Sequence, residues 1–466
     1  MGPGDEIHGI IVKMLNRYRT LKVLTLAMCL GAAACGSDDD MPGQEDGGGG
    51  DSGGINYPVE RLFDDTLVHD IDVTVDPAEW DAINADPGAE EYIAATMNIE
   101  DHVQEGAAIR FKGGFNTLTT CLLNPGSCLK LSFKLKFNND ANPKDRFAGL
   151  RKFNLHSAIR DPSMTRDVLA YSAYRAMGIE APRASHARLT VNGEYMGLFV
   201  LVEAVDKEFV EDHFAPGEGN LYKEAWPRFD ETIYPGFLRT NESESDVSRM
   251  VEFETMLDNT SDATFEADIA PFMDLDKVGR YLAVDRALNN LDGVSIFYCD
   301  PPNAEGNVIC FNHNNYLYEK DNGQFELTPW DMDRVMGGVN TDLGIEFNGN
   351  DCSLIPQCEF FGDAPGCGSP TDPTVLPSQC DPLFGHLHRA TYNTSYRQGL
   401  VDLLDGRFDD LAEKRVAIKS KLEGLIPDDP HHEGLAKFEE FHTSLRIVLE
   451  ETPAAMQNRV DSIPEP

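Results

Sequence analysis

Residues 312–333 read Asn312-His313-Asn314-Asn315-Tyr316-Leu317-Tyr318-Glu319-Lys320-Asp321-Asn322-Gly323-Gln324-Phe325-Glu326-Leu327-Thr328-Pro329-Trp330-Asp331-Met332-Asp333. Two apolar-alternating runs flank Asn322-Gly323, the strongest short hairpin signal a sequence carries. If Asn322-Gly323 is a two-residue turn, opposed residues have numbers summing to 645 (321 + 324), which sets Asn314 across from Asp331. Asn315 is one step along, and Asp333 lies two residues beyond Asp331. Amide and carboxylate oxygens then converge at one end of a rigid hairpin. Such a set suits Mg²⁺, a hard cation that takes one or two carboxylates plus phosphate oxygens. The competing reading is an ordinary hairpin with polar ends.

Upstream, Asp274-Leu275-Asp276 caps a helix through Tyr281, Leu282 and Leu288, which stops at Asn289-Asn290-Leu291-Asp292-Gly293 and leaves Asp292 in a loop. Cys299 and Cys310 are close enough to staple the excursion from Asp292 to Asn315. Downstream, Cys352, Cys358, Cys367 and Cys380 sit in a Pro/Gly-rich insertion; disulfides and, less simply for want of a Cys-x-x-Cys pair, zinc are the two readings. From Phe384 onward the pattern is helical: Leu400–Leu404, Phe408–Leu425, Leu435–Leu449.

The N-terminal half is β-rich. His69 to Val75 alternates, Tyr92 to Met97 does so more loosely, and Ala107 to Lys112 leads into Gly113-Gly114. Leu129 to Phe137 puts Leu131, Phe133, Leu135 and Phe137 on one face and Lys130, Lys134 and Lys136 on the other; those lysines either serve an anion or form a solvated face. Asp161-Pro162 opens a helix that ends before Gly178, with Met164, Val168 and Tyr171 on its buried face. A second Asn-Gly hairpin turns at Asn192-Gly193 and ends at Glu203.

The chain has 466 residues, is 41% hydrophobic and carries a net charge of −40 from 79 acidic and 39 basic residues. That excludes the basic footprint of a nucleic-acid binder and leaves anionic ligands to a metal or a local basic pocket. Lys13, Arg17, Arg19 and Lys22 precede an apolar run, Val23 to Ala34, too short to span a bilayer. With Cys35 this resembles a bacterial lipoprotein signal, so a lipid anchor would be the membrane contact; ordinary cleavage competes, and Met14 competes with Met1 as the start. Gly36 to Gly54 reads as a tether. Beyond Cys29 and Cys35, eight cysteines remain, an even number that suits disulfides in an exported protein.

Several motifs fall in order. They are Arg110-Phe111-Lys112-Gly113, Lys130 to Phe137, Phe153-Asn154-Leu155, Asp161-Pro162-Ser163-Met164-Thr165-Arg166-Asp167 and Val191 to Phe199. Glu203, Leu221-Tyr222-Lys223, Asn290-Leu291-Asp292, Asn315 to Tyr318 and Pro329 to Asp333 complete them. Together they resemble the CotH family of spore-coat-protein-H-like proteins. The resemblance implies an α+β, atypical protein-kinase-like two-lobed fold: a signal segment (1–35), a tether (36–56), a β-rich lobe (57–204) and a helical lobe (205–466) carrying the hairpin and the insertion 350–381. It implies an exported kinase using ATP and Mg²⁺ on a protein Ser/Thr or other hydroxyl of a surface or coat. Asp292 would be catalytic, and Asn315, favoured over Asn314 by the family pattern, would bind metal with Asp331 and Asp333. Lys134 would meet the phosphates with Asp167 as its acidic partner, and Glu203 would face the adenine. There is no Asp-Phe-Gly or His-Arg-Asp, and 23 residues (315 − 292) separate Asp292 from Asn315. Two alternatives keep the fold: transfer of another group by adenylylation or glutamylation, and a surface-binding or coat protein without catalysis.

Overall fold

The computed structural model describes residues 57–113, 118, 130–139, 142–228, 234–240, 246–299, 308, 310–344, 352–356, 374–389 and 392–464. The signal segment, the tether, Cys121, Cys128, Cys358 and Cys367 lie outside these residues. Residues 48–466 make one compact unit.

Seven strands build the N-terminal part: β1 (Val68–Val75), β2 (Ile93–Ile99), β3 (His102–Lys112), β4 (Ser132–Lys136), β5 (Lys152–His156), β6 (Ala184–Val191) and β7 (Glu194–Glu203). They close into a barrel in the order β1-β2-β3-β4-β5-β7-β6, with β6 returning parallel to β1. Closure leaves no unpaired strand edge. Alternation drives it. Ile71 and Val73 of β1, Phe133 and Leu135 of β4, and Phe153 and Leu155 of β5 enter one apolar core. β7 is apolar on both faces: Phe199 and Leu201 join that core, while Leu198, Val200 and Val202 join a second, larger one.

The second core surrounds a central helix, Arg166–Ala176, buried along Val168, Leu169, Ala170, Tyr171, Ala173 and Tyr174. Each such large apolar side chain contributes on the order of 1.5–3 kcal/mol by leaving water. Asp161-Pro162 was expected to open this helix, but it begins at Arg166. The Asp161 carboxylate folds residues 161–165 into a turn, accepting from Ser163 N at 3.1 Å and from Thr165 N and Arg166 N at 2.8 Å. The far end matches expectation. Gly178 is left-handed (φ 73°), and bonds from Gly178 N to Arg175 O and Ile179 N to Tyr174 O close the last turn.

Short strands carry the polar loops. β8 (Leu221–Lys223), β11 (Asn315–Glu319) and β12 (Phe325–Pro329) make one sheet in the order β12-β11-β8. β9 (Phe297–Cys299), β10 (Cys310–Phe311), β13 (Ile355–Pro356) and β14 (Thr374–Leu376) make another in the order β10-β9-β14-β13. Disulfides Cys299–Cys310 and Cys352–Cys380 hold this second sheet's loops. The opening hairpin differs from expectation by one residue. Asn315 opposes Pro329, so paired numbers sum to 644, and three residues, Asp321-Asn322-Gly323, form the loop. Lys320 O accepts from Gly323 N, Gly323 alone of the three is left-handed (φ 78°), and Lys320 N donates to Gln324 O, a turn followed by a glycine bulge.

Helices Leu275–Ala287, Tyr392–Asp402, Phe408–Leu422 and Leu435–Ser462 complete the larger core, in line with the helical C-terminal pattern. The architecture is α+β. Among the described residues, no helix is long and apolar enough to cross a membrane.

Candidate active site

Three polar segments meet beside the central helix. The first is the loop after helix Leu275–Ala287. Asp285, wholly buried, accepts from Asn290 Nδ2 at 2.8 Å, Ser295 Oγ at 3.0 Å and Tyr174 OH at 3.2 Å. Burial pushes its carboxyl up, against the pull of Arg286 and these donors. Asn290 Oδ1 in turn accepts from Asp292 N. A Cβ at Gly293 would lie 2.2 Å from Asn290 Nδ2 and 2.8 Å from Asp285 Oδ1, so only glycine fits. The loop is thereby fixed around Asp292. Its Oδ1 accepts from Tyr298 OH at 2.9 Å, and its Oδ2 lies 3.5 Å from Arg334 Nη1. Burial raises the Asp292 carboxyl above its ordinary range despite Arg334.

The second segment is the start of β11. Asn314, left-handed at φ 53°, donates from Nδ2 to the Asp292 carbonyl at 2.9 Å and accepts from Trp330 N at 3.1 Å. Asn315, the amide expected to bind metal, makes local bonds: its Nδ2 donates to Asn312 Oδ1 and His313 O. The Asn315 Oδ1 is buried with no hydrogen-bond partner.

The third segment follows β12. Asp331 is also left-handed (φ 55°), a conformation short polar residues tolerate. The backbone here is clamped from the central helix. Asp331 N donates to Tyr171 OH, Met332 N donates to Asp167 Oδ1 at 2.9 Å, and Arg166 Nη1 donates to Asp333 O at 3.1 Å. Asp333 is pushed well above the usual carboxylate range, first by burial and then by Asp331, Asp167, Asp161 and Asp292, all of like charge. Five carboxylates thus share one pocket of potential. Asp292, Asp331, Asp333 and Asp167, singled out from the sequence, are brought together.

The expected basic strip lies on the outer face of the barrel. Pairing registers put Lys112, Ser132 and His156 in one row and Arg110, Lys134 and Asn154 in the next, so Lys134 stands one pleat, about 7 Å, from the His156 row. The Asp167 carboxylate, expected to partner Lys134, is engaged by His156 Nδ1 at 2.9 Å. The His156 Nε2 lies 3.0 Å from Lys112 Nζ. Lys130 is committed to Asp429 at 2.8 Å. Glu203, expected to face adenine, has a fully enclosed carboxylate. Arg183 Nη2 pairs with its Oε1, and His213 Nε2 lies 3.4 Å from its Oε2. That side chain is not presented to a ligand.

Sequence reasoning missed His156, Arg166 and Asp285 as builders of the site, and it passed over Asn314, which the hairpin register had raised, in favour of Asn315. For Asp285 a signal existed, a carboxylate inside an otherwise apolar helix stretch; for His156 none did.

The model of a known family, CotH kinase protein, matches residues 109–456, most of the chain. The chain belongs to the CotH kinase family. Inner spore coat protein H of Bacillus subtilis (strain 168) is 24% identical over 203 residues, which cover 41% of this chain and 51% of that protein, so the match spans about half of the curated relative. The Helicobacter pylori proinflammatory kinase CtkA aligns over 73% of this chain and 96% of that one at 11% identity, with a TM-score of 0.29, too low to carry an argument. Membership makes this a CotH-like protein of kinase type, and the barrel with its helical companion supplies the expected α+β frame.

Proposed function

We propose that this chain is an exported kinase that uses ATP and Mg²⁺ to phosphorylate a protein Ser/Thr or another hydroxyl at a surface or coat. The supporting observation is the convergence of Asp292, Asp331 and Asp333 with more negative charge than the neighbouring Arg166 and Arg334 offset. A buried carboxylate raised by like neighbours is relieved by a divalent cation. Asp331 and Asp333 would hold Mg²⁺, with the unbonded Asn315 Oδ1 as an amide donor. The donor set, all oxygen, fits that ion. When bound, Mg²⁺ offsets the charge on the nucleotide's phosphate oxygens.

The chain's residues then do the following. Asp292 accepts a hydrogen bond from the acceptor hydroxyl and takes its proton as the hydroxyl oxygen bonds to the γ-phosphorus. The bond from that phosphorus to the β,γ-bridging oxygen breaks, and ADP carries away the electron pair. A raised carboxyl is better matched to proton transfer near neutral pH than an ordinary one. Asn314 holds the Asp292 backbone, and Arg334 steadies the carboxylate.

Calorimetric titration with ATP and Mg²⁺ tests this reading. Wild type binds and Asp331→Ala does not; labelled ATP then gives phosphoryl transfer that Asp292→Asn lowers by a hundredfold or more, on the order expected for a positioned acid–base group. Equal binding by Asp331→Ala sinks the metal assignment. The relationship to a spore coat protein favours a second reading, a coat or surface module that kept the fold without turnover. Export through a lipid anchor at Cys35 belongs to the same proposal, and labelling with a radioactive fatty acid tests it.

A further inference from the structure

One buried hydroxyl beside Asp292 has no part in the reaction so far. Tyr298 is the middle residue of β9 and is only 9% exposed. Alternation sends Phe297 and Cys299 into the larger core and leaves Tyr298 on the other face, clustered with Ile296 and Val375. Its strand is held on both sides, since Tyr298 opposes Phe311 of β10 and Val375 of β14. The next pair along, Cys299 and Cys310, is joined by a disulfide. The ring meets His313 at 5.1 Å. From that anchorage the hydroxyl reaches Asp292 Oδ1 at 2.9 Å and Leu291 O at 3.1 Å.

The geometry points to Tyr298 as the positioning residue that aims the Asp292 carboxylate, engaging Oδ1 so that Oδ2 takes the acceptor's proton. This rests on the kinase reading above and deepens it. The loop pins the Asp292 backbone at both ends: its N–H donates to Asn290 Oδ1, and its carbonyl accepts from Asn314 Nδ2. Those bonds place the backbone and leave the side chain its rotamers. Arg334 is a loose hold, with Nη1 3.5 Å from Oδ2 and a half-exposed side chain. Tyr298 makes the short bond to the carboxylate. A neutral hydroxyl suits that task. A charged donor on Oδ1 would favour the ionised form more strongly and weaken the base. The phenol has one proton and two oxygens within reach. It donates to Oδ1 while Asp292 is ionised and to Leu291 O once Oδ2 is protonated, so neither state strands a buried donor. Burial and then the Asp292 charge push the phenol up, which keeps it a donor. In the transfer step the acceptor's O–H bond breaks and a bond from Oδ2 to that hydrogen forms; Tyr298 keeps its own proton throughout.

Tyr298→Phe keeps the ring and removes the hydroxyl. Crystal structures of wild type and variant give the first test, which needs no activity. Oδ1 of Asp292 is expected to move by about 1 Å or more, the scale of misplacement that matters to a reacting group, with the bonds to Asn290 and Asn314 intact. A carboxylate that stays in place overturns the assignment. Kinetics with labelled ATP, Mg²⁺ and casein as the acceptor give the second test. Tyr298→Phe is expected to lower kcat about tenfold to a hundredfold with KM for ATP unchanged. In an Asp292→Asn background the same change should cost less than about twofold, because residues that act as a unit are not additive. Equal losses in the two backgrounds, or a raised KM with kcat unchanged, overturn the assignment. A wild type that passes no phosphate to casein or to itself removes the kinase reading instead, and the crystallographic comparison still decides whether Tyr298 aims the carboxylate.

Discussion

Two acidic centres lie on opposite sides of the same argument about burial. Around Glu203, burial pushes the carboxyl up, yet hydrogen bonds from His213 and Arg183 hold it below its ordinary range. Asp212 and Glu180 complete the group: Arg183 Nη2 lies 2.9 Å from Asp212, and His213 Nδ1 2.9 Å from Glu180. Glu203, Asp212 and His213 have the spacing of a metal site, but a guanidinium already sits among them. Around Asp333 the same burial acts in the same direction as four neighbouring carboxylates, and the charge is left in excess. One centre is complete and serves the fold; the other is incomplete in a way that a bound cation would finish.

The largest expected effect comes from breaking the complete centre. Glu203→Ala strands Arg183 and His213 and should cost about 3–5 kcal/mol of stability in urea unfolding. A loss below about 1 kcal/mol would mean the centre is no more than a surface network. Titration sharpens the contrast next. Burial lowers His213, but Glu180 and Glu203 more than reverse it and raise it to about 9. A raised folded value means stability is fully present below the unfolded value near 6.5 and is lost as pH rises toward about 9. Unfolding free energy should fall across that window by at most roughly 3 kcal/mol, and His213→Gln should flatten the slope. The smallest effect has the opposite sign. Asp333→Asn should stabilise the metal-free protein modestly at pH 7, because it removes one of the crowded like-charged groups. It should also abolish any rise in melting temperature on adding Mg²⁺. If instead the variant is less stable without metal, the carboxylates are not crowded and the contrast fails.

How far the sequence could be read is clearest at two of its Asn-Gly pairs. At Asn192-Gly193 the pair does form a two-residue turn, both residues left-handed at φ 50° and 82°, with Val191 opposite Glu194. At Asn322-Gly323 the same dipeptide closes a three-residue loop, because its neighbours are held from outside. Arg249 Nε donates to Gly323 O at 2.8 Å, and Gln324 Nε2 donates to Ala270 O at 2.9 Å. A dipeptide encodes its preferred φ values; the register is chosen by tertiary partners far along the chain. The acids of the site were legible because polar residues clustered at strand and helix ends. The fate of the expected Lys134–Asp167 pair was not, since nothing in the pattern marks His156, whose Nδ1 engages the Asp167 carboxylate instead. Likewise, Asp161 signalled a helix start correctly in kind and four residues early in place, because its carboxylate reaches over an intervening turn.

The Cys299–Cys310 bridge ties off the long excursion between Asp292 and Asn314, the two partners that clasp each other at the heart of the site. Sulfur chemistry thus enters the assembly of a centre built from oxygen and nitrogen groups. Protein made in a reducing cytosol would carry that excursion as a slack tether, and a feeble preparation would report on the host's thiol balance before it reported on the proposed activity.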